Sequence, residues 1–311
     1  MNNKIVTINE AYLKYINYAE LHLKPTTILN IKRKFKLHIL PFISNKNIYE
    51  FSENDYIYWQ KCIKDLNYSN SFNKSIQSLF KRFFDYLSIF YKIDNVARKM
   101  IDFKDYKIVE NKEKEILSFK DFKKFIKCIK NDILYNTLFD FLYFTGVRKG
   151  ELLALNWNDL NHNSVSITKT ITKEFFNGKR LITTPKTNGS IRSIKIDYRL
   201  VKKLNKLKKY YIKTDKNFNN NYFIFGGNKP IATTTLERKK NYYCDKAKVK
   251  RIRIHDFRHS HATLLYKNKC DIKTIQKRLG HSNINTTLDT YVHCDNEKRV
   301  RRTLNFIRLI F

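Results

Sequence analysis

Between residues 72 and 91, Ile76, Leu79, Phe80, Phe83, Phe84, Leu87 and Phe90 recur every three or four residues. An apolar stripe of that period lies on one face of an α-helix, and its rings need other elements to cover them. The segment predicts a long helix at the centre of a helical module, with the rings as core rather than as a platform for stacked bases. Three more helices fit the residues before it. One spans 8–22 after Thr7, with Ala11, Leu13, Tyr15, Ile16 and Tyr18. The next spans 26–40 after Pro25, with Ile28, Leu29, Ile31, Phe35 and Ile39, and is stopped by Pro41. A short third helix spans 54–66 after Ser52.

The chain has 311 residues, and a domain usually takes about 100–200, so two domains are expected. The charged stretch 102–115 has no periodicity. We read 1–108 as a helical domain, 109–115 as the linker and 116–311 as a second domain. In the second domain Ser118 and Asp121 are spaced to cap a helix over 119–130, and helices follow at 133–144 and 149–156. The character then changes. Over 164–172, Val165, Ile167 and Ile171 share one parity and Ser164, Ser166, Thr168, Thr170 and Thr172 the other, which is a strand pattern broken only by Lys169. Residues 191–196 alternate again, and Asn188-Gly189 has the composition of a hairpin turn. Helices resume at 198–211, 234–248, 255–267, 271–279 and 286–293. The expected fold is mainly α with a small antiparallel β-sheet.

Lys plus Arg number 62 against 28 Asp plus Glu, a net charge of +34. The first 108 residues hold 18 basic and 10 acidic side chains; the remainder holds 44 and 18. A field of that sign calls for a polyanion, and nucleic acid is the leading candidate. A membrane is not expected as partner. No stretch approaches the ~20 apolar residues of a span, and no strongly amphipathic basic terminal helix of the kind that lies on lipid is recognised. The start shows no signal-peptide core. The five cysteines are scattered, odd in number and without a CxxC pair. A disulfide framework is therefore not expected, and the cytoplasm is the expected compartment.

Four segments could carry chemistry. In Thr145-Gly146-Val147-Arg148-Lys149-Gly150-Glu151-Leu152, Arg148 stands at a helix start, where backbone amides favour phosphate. In Pro185-Lys186-Thr187-Asn188-Gly189, Lys186 flanks the predicted turn. In His255-Asp256-Phe257-Arg258-His259, helical spacing puts His255, Arg258 and His259 on one face. His255 and His259 have the spacing of a zinc pair, but a cation between them favours an anion. The fourth segment runs from Leu279-Gly280-His281 to Asp289-Thr290-Tyr291. Five of the eight histidines fall between 255 and 293, a concentration that core packing does not explain. Two arginines, two histidines, a lysine and a tyrosine together suit phosphoryl transfer without metal. The guanidiniums hold the equatorial oxygens, the phenol attacks, and a lysine or histidine protonates the leaving oxygen.

In order and spacing these segments resemble the tyrosine recombinase (phage integrase) family. TGVRKGEL is similar to its first arginine box, HDFRHSHATLL to its HxxR box, and LGHSNINTTLDTY to the box that ends in the nucleophile. The resemblance implies a helical core-binding domain followed by a catalytic domain, the two clamping DNA as a C-shape. By position, Arg148 and Arg258 would bind the scissile phosphate. Tyr291 would attack it, leaving a 3′-phosphotyrosyl bond and a 5′-hydroxyl. Lys186, on the family's β-hairpin, would protonate that leaving oxygen. His255 would assist as acid or base, and His281 would hydrogen-bond the phosphate. Glu151 would orient Arg148, while His259, His261, His293 and Arg192 have support or DNA-facing roles.

The resemblance further implies double-stranded DNA at specific recombination sites as substrate and no cofactor or metal. It implies a homotetramer in the synaptic complex, and a directionality or DNA-bending factor is a compatible accessory partner. The apparent core-binding domain starts near residue 8, so a preceding arm-binding domain is not expected. TTLDTY is closest in character to mobile-element integrases. The basic and apolar tail, from Lys298 to Phe311, could dock on a neighbouring protomer or on its own domain. A non-cleaving DNA-binding protein of the same fold, a repressor or architectural factor, would share the charge but has no need of Tyr291. A type IB topoisomerase would share the chemistry but not the box spacing.

Overall fold

The computed structural model describes residues 5–103, 115–176, 179–185 and 188–281. The chain divides into two compact units, Met1–Lys112 and Glu113–Phe311. The expected linker, 109–115, lies outside the described residues except for Glu115. So do the expected helix at 286–293 and the C-terminal tail.

The elements among the described residues of the first unit are helices: α1 (Ile8–His22), α2 (Pro25–His38), α3 (Leu40–Ile43), α4 (Glu53–Asp65), α5 (Asn70–Tyr91) and α6 (Val96–Lys99). Thr7 caps α1 by accepting the Glu10 amide, while the Glu10 carboxylate accepts the Thr7 amide at 2.8 Å. The α5 stripe is core, with Phe80, Phe83, Phe84 and Leu87 fully buried. Phe90 departs from the expectation and is exposed, as are Leu13 and Tyr18 of α1. The Tyr56 ring stacks on Phe80 at 5.5 Å. The fully buried Trp59 donates its indole N–H to the His38 carbonyl at 2.8 Å, so the largest core side chain leaves no orphan donor. Pro41 does more than stop α2: it sits in the first turn of α3, where its missing N–H costs nothing.

The second unit is built around α8 (Ile133–Thr145), whose sequence is apolar on nearly every side and whose Leu138, Phe139, Phe141 and Leu142 are buried. Around it stand α7 (Phe119–Lys127), α10 (Tyr198–Thr214), α11 (Thr233–Lys246) and α12 (Asp256–Lys267), with the short α9 (Lys149–Ala154) and α13 (Ile272–Leu279). Phe139 stacks on Phe257 of α12 at 5.6 Å, and Phe125 of α7 meets both rings.

The sheet differs from the expectation. The predicted single strand over 164–172 is two strands in two sheets. β2 (Ser164–Ile167) lies between β1 (Leu160–Asn161) and β5 (Arg192–Lys195), antiparallel to both, while β3 (Thr170–Phe176) pairs antiparallel with β4 (Lys179–Thr183). Lys169, the residue that broke the alternation, lies between β2 and β3 and pairs with Asp159 at 2.9 Å. Asn188-Gly189 is not a hairpin turn: residues 188–190 form a 3₁₀ turn leading into β5. The sequence also gave no notice that Ile224 and Phe225 of the long connection after α10 are fully buried, with the Ile224 amide donating to the Leu155 carbonyl. Among the described residues no helix is long and apolar enough to cross a membrane.

Candidate active site

The site forms where α8 ends. Gly146 caps α8 in the left-handed conformation (φ 65°), and a Cβ there would stand 2.7 Å from the His261 ring. A glycine is thus needed both for the turn and for the close approach of α12. The turn delivers Arg148 to the start of α9. The Arg148 amide and guanidinium both donate to the Glu151 carboxylate, at 2.9 and 2.7 Å, and its Nη2 donates to the Gly280 carbonyl at 2.8 Å.

Arg258, on the first turns of α12, is buried and donates to two backbone carbonyls, Gly146 at 2.9 Å and Leu279 at 2.7 Å. Arg148 and Arg258, 110 positions apart in number, therefore converge on one short stretch at the C-terminal end of α13. That stretch continues into His281, whose Gln276 neighbour donates to its carbonyl at 3.1 Å. Burial, then the charges of Arg258 and Arg148, push the His281 pKa down to about 3, so its imidazole is neutral at pH 7. His255 is at the exposed rim. Crowding by the surrounding chain and the Arg258 charge lower its pKa as well, which leaves a neutral imidazole able to take up a proton. His255 and His259 meet edge to face at 4.9 Å rather than splaying around a shared point. Among the described residues no three His, Cys, Asp or Glu side chains gather as metal ligands. Lys186 and Tyr291 lie outside the described residues.

Glu151 bridges Arg148 and Arg192 and is almost fully buried. Burial works to raise its pKa, but the hydrogen bonds and charge of Arg192, followed by Arg148, outweigh it and hold the carboxyl below its usual range. Arg192 donates to Glu151 through both terminal nitrogens, at 3.1 and 2.8 Å. Glu151→Gln is expected to destabilise the second unit by about 3–5 kcal/mol, because it leaves a buried guanidinium uncompensated. Urea unfolding checks this, and an unchanged midpoint would contradict the pairing.

Arg192 and Arg278 also belong to this centre; the sequence motifs assign Arg192 only a supporting or DNA-facing role and Arg278 none. Both are side chains among 62 basic ones, and most of their acceptors lie on other elements far away in sequence. No local pattern marks them. His261 is buried, and its pKa too is pushed down to about 3, by burial first and then by Arg278. Arg278 Nε donates to its Nε2 at 3.1 Å, which requires the unprotonated nitrogen there.

His261 and His281 set a pH dependence. Their folded pKa values lie below the ordinary value of about 6.5, so between the two the unfolded chain binds more protons. Their contribution to stability is full above about pH 6.5 and is lost as pH falls toward 3. The thermal midpoint is expected to drop already between pH 6.5 and 5, above the usual carboxylate range. A midpoint that is flat or rises over that interval would show that the histidines are not held neutral.

Comparisons with known proteins identify the family. The family model "Phage integrase family" matches residues 115–298, and "Phage integrase, N-terminal SAM-like domain" matches residues 7–63. The ICEBs1 integrase of Bacillus subtilis (strain 168) is 30% identical over 291 residues, covering 90% of this chain and 77% of that protein. A tyrosine recombinase XerC-like protein of Caldanaerobacter subterraneus subsp. tengcongensis is 29% identical over 302 residues, covering 87% and 74%. Among solved structures, the Tn1549 transposon integrase in complex with transposon right end DNA matches with a TM-score of 0.75 at 20% identity, covering 96% of this chain and 100% of that one. A lambda integrase tetramer bound to a Holliday junction matches at 0.62 and 16%, covering 91% and 79%. The chain belongs to the phage integrase family and is a tyrosine recombinase, an enzyme of site-specific DNA recombination.

Proposed function

We propose that the chain cuts and rejoins double-stranded DNA at specific sites, with Arg148, Lys186, His255, Arg258, His281 and Tyr291 as its catalytic set. The observation that carries this reading is the convergence of Arg148 and Arg258, each directed by backbone carbonyls, beside a neutral His281. A guanidinium has five N–H donors in a fixed plane, so it can serve a carbonyl and a phosphate oxygen together.

The chemistry balances. The Tyr291 phenol oxygen attacks the scissile phosphorus, and its proton passes to neutral His255. Negative charge grows on the equatorial oxygens, where Arg148, Arg258 and His281 donate. The bond from phosphorus to the 5′-oxygen breaks, and Lys186 supplies the proton that makes it a 5′-hydroxyl. The phosphotyrosyl ester preserves the energy of the phosphodiester, so a 5′-hydroxyl from another strand can reverse the step without ATP. The first unit would act as core-binding domain and the second as catalytic domain. Assembly would be a homotetramer on two duplexes; the matched lambda integrase is a tetramer bound to a Holliday junction. A directionality or DNA-bending factor would act on that assembly, and the place of action would be the cytoplasm.

The test uses a labelled, nicked duplex carrying the sequence that this protein selects from a random-sequence pool. Incubated with the protein in EDTA and then denatured, it is expected to yield a covalent protein–DNA adduct. Tight, selective binding with no adduct would contradict cleavage and leave a DNA-binding protein.

A further inference from the structure

Three arginines of the second unit end on three consecutive carbonyls. The Arg278 carbonyl accepts from Arg192 Nε at 2.8 Å, the Leu279 carbonyl from Arg258 at 2.7 Å, and the Gly280 carbonyl from Arg148 at 2.8 Å. These carbonyls close α13, where a helix has no amides of its own left to offer them. Gly280, in the left-handed conformation (φ 68°), turns the chain out of the helix at that point. One backbone turn thus sets the spacing of three guanidiniums.

The Arg278 side chain holds that turn in place. Its Nε donates to His261 Nε2 on α12 at 3.1 Å, its Nη1 to the Lys195 carbonyl at the end of β5 at 3.1 Å, and its Nη2 to the Phe144 carbonyl in the last turn of α8 at 3.0 Å. One planar fork reaches three elements, and these are the elements that carry or lead into Arg258, Arg192 and Arg148. His261 suits the role because it is an acceptor held neutral inside the protein.

We infer that Arg278 is a positioning residue for strand cleavage: by pinning the last turn of α13 to α8, α12 and β5, it sets the carbonyls that align Arg148, Arg192 and Arg258. This rests on the reading that Arg148 and Arg258 bind the scissile phosphate. Arg278 acts through those side chains and not on the DNA. A displacement of about 1 Å at a reacting centre can cost on the order of 100-fold in rate. Lysine cannot substitute, since a single ammonium on a flexible stem cannot meet three acceptors in three directions. The fold does not depend on this fork alone. Ile275 and Leu279 of α13 are fully buried in a cluster with Ala262 of α12, which keeps α13 seated without it.

The experiment compares wild type, Arg278→Gln and Arg278→Lys on the selected nicked duplex. It measures duplex affinity by titration and the rate of adduct formation at saturating protein. Both variants are expected to bind within about threefold of wild type and to cleave about 30- to 100-fold more slowly. Combining Arg278→Gln with Arg148→Lys is expected to cost well short of the product of the single losses, because both changes spoil one alignment. Cleavage within threefold of wild type, a fully multiplicative double variant, or a parallel loss of thermal midpoint, affinity and rate would each overturn the inference. If wild type itself binds tightly and forms no adduct, the phosphate reading fails and this inference fails with it. Equal adduct formation by wild type and variants sinks the positioning role alone.

Discussion

Tyr291→Phe is expected to abolish adduct formation, with a loss of at least about 10⁴-fold, while affinity for the selected duplex stays within about twofold. Removing an attacking oxygen leaves the enzyme with no covalent route, and losses of this order accompany deletion of a nucleophile in other covalent enzymes. Affinity for DNA comes mostly from phosphate contacts, to which one phenol adds little in a chain of net charge +34. The two readouts must therefore separate. The check is a parallel titration and single-turnover assay; a variant that still forms adduct would move the nucleophile elsewhere.

Arg258→Ala is expected to slow cleavage by about 10²–10³-fold, as when a preorganised donor is lost from a site of developing negative charge. It also strips hydrogen bonds from the Gly146 and Leu279 carbonyls. Each buried carbonyl left unpaired costs about 1–3 kcal/mol, so the thermal midpoint should fall as well. Arg258→Lys separates the two effects. It keeps the charge but not the fork, and a rate still at least about tenfold below wild type would assign the role to directed donation rather than to charge alone. A wild-type rate for Arg258→Lys would contradict the geometry described here.

How far the sequence carried depended on the range of the interactions. The α5 stripe, the caps at Thr7 and Ser118, and the face shared by His255 and Arg258 are local, with partners within a turn or two. Periodicity and composition reveal them. The strand pattern misled where a local signal ran across a break. Val165, Ile167 and Ile171 keep one parity, yet β2 and β3 belong to different sheets, and Lys169 was the mark of the division. The Asn-Gly pair at 188–189 has the composition of a hairpin turn, whereas residues 188–190 form a 3₁₀ turn that leads into β5. Arg192 and Arg278 are not legible because the acceptors that place them in the site, the Arg278, Lys195 and Phe144 carbonyls, the Glu151 carboxylate and the His261 imidazole, stand on other elements 17 to 134 positions away. A basic side chain shows nothing in sequence of whether it faces DNA or braces a turn. The sharp contrast is with Arg148, whose Gly146 and Glu151 neighbours lie within three residues and gave it a recognisable frame.

The central claim, a covalent bond between this chain and DNA made by Tyr291, is tested most directly by mapping the adduct itself. Adduct formed in EDTA on the selected nicked duplex is trimmed with nuclease, digested with protease and sequenced by mass spectrometry. The account predicts a residual 3′-nucleotide on the peptide that contains Tyr291, joined through the phenol oxygen, together with a free 5′-hydroxyl on the released strand. A nucleotide on any other side chain, or a 5′-linked nucleotide, would contradict it.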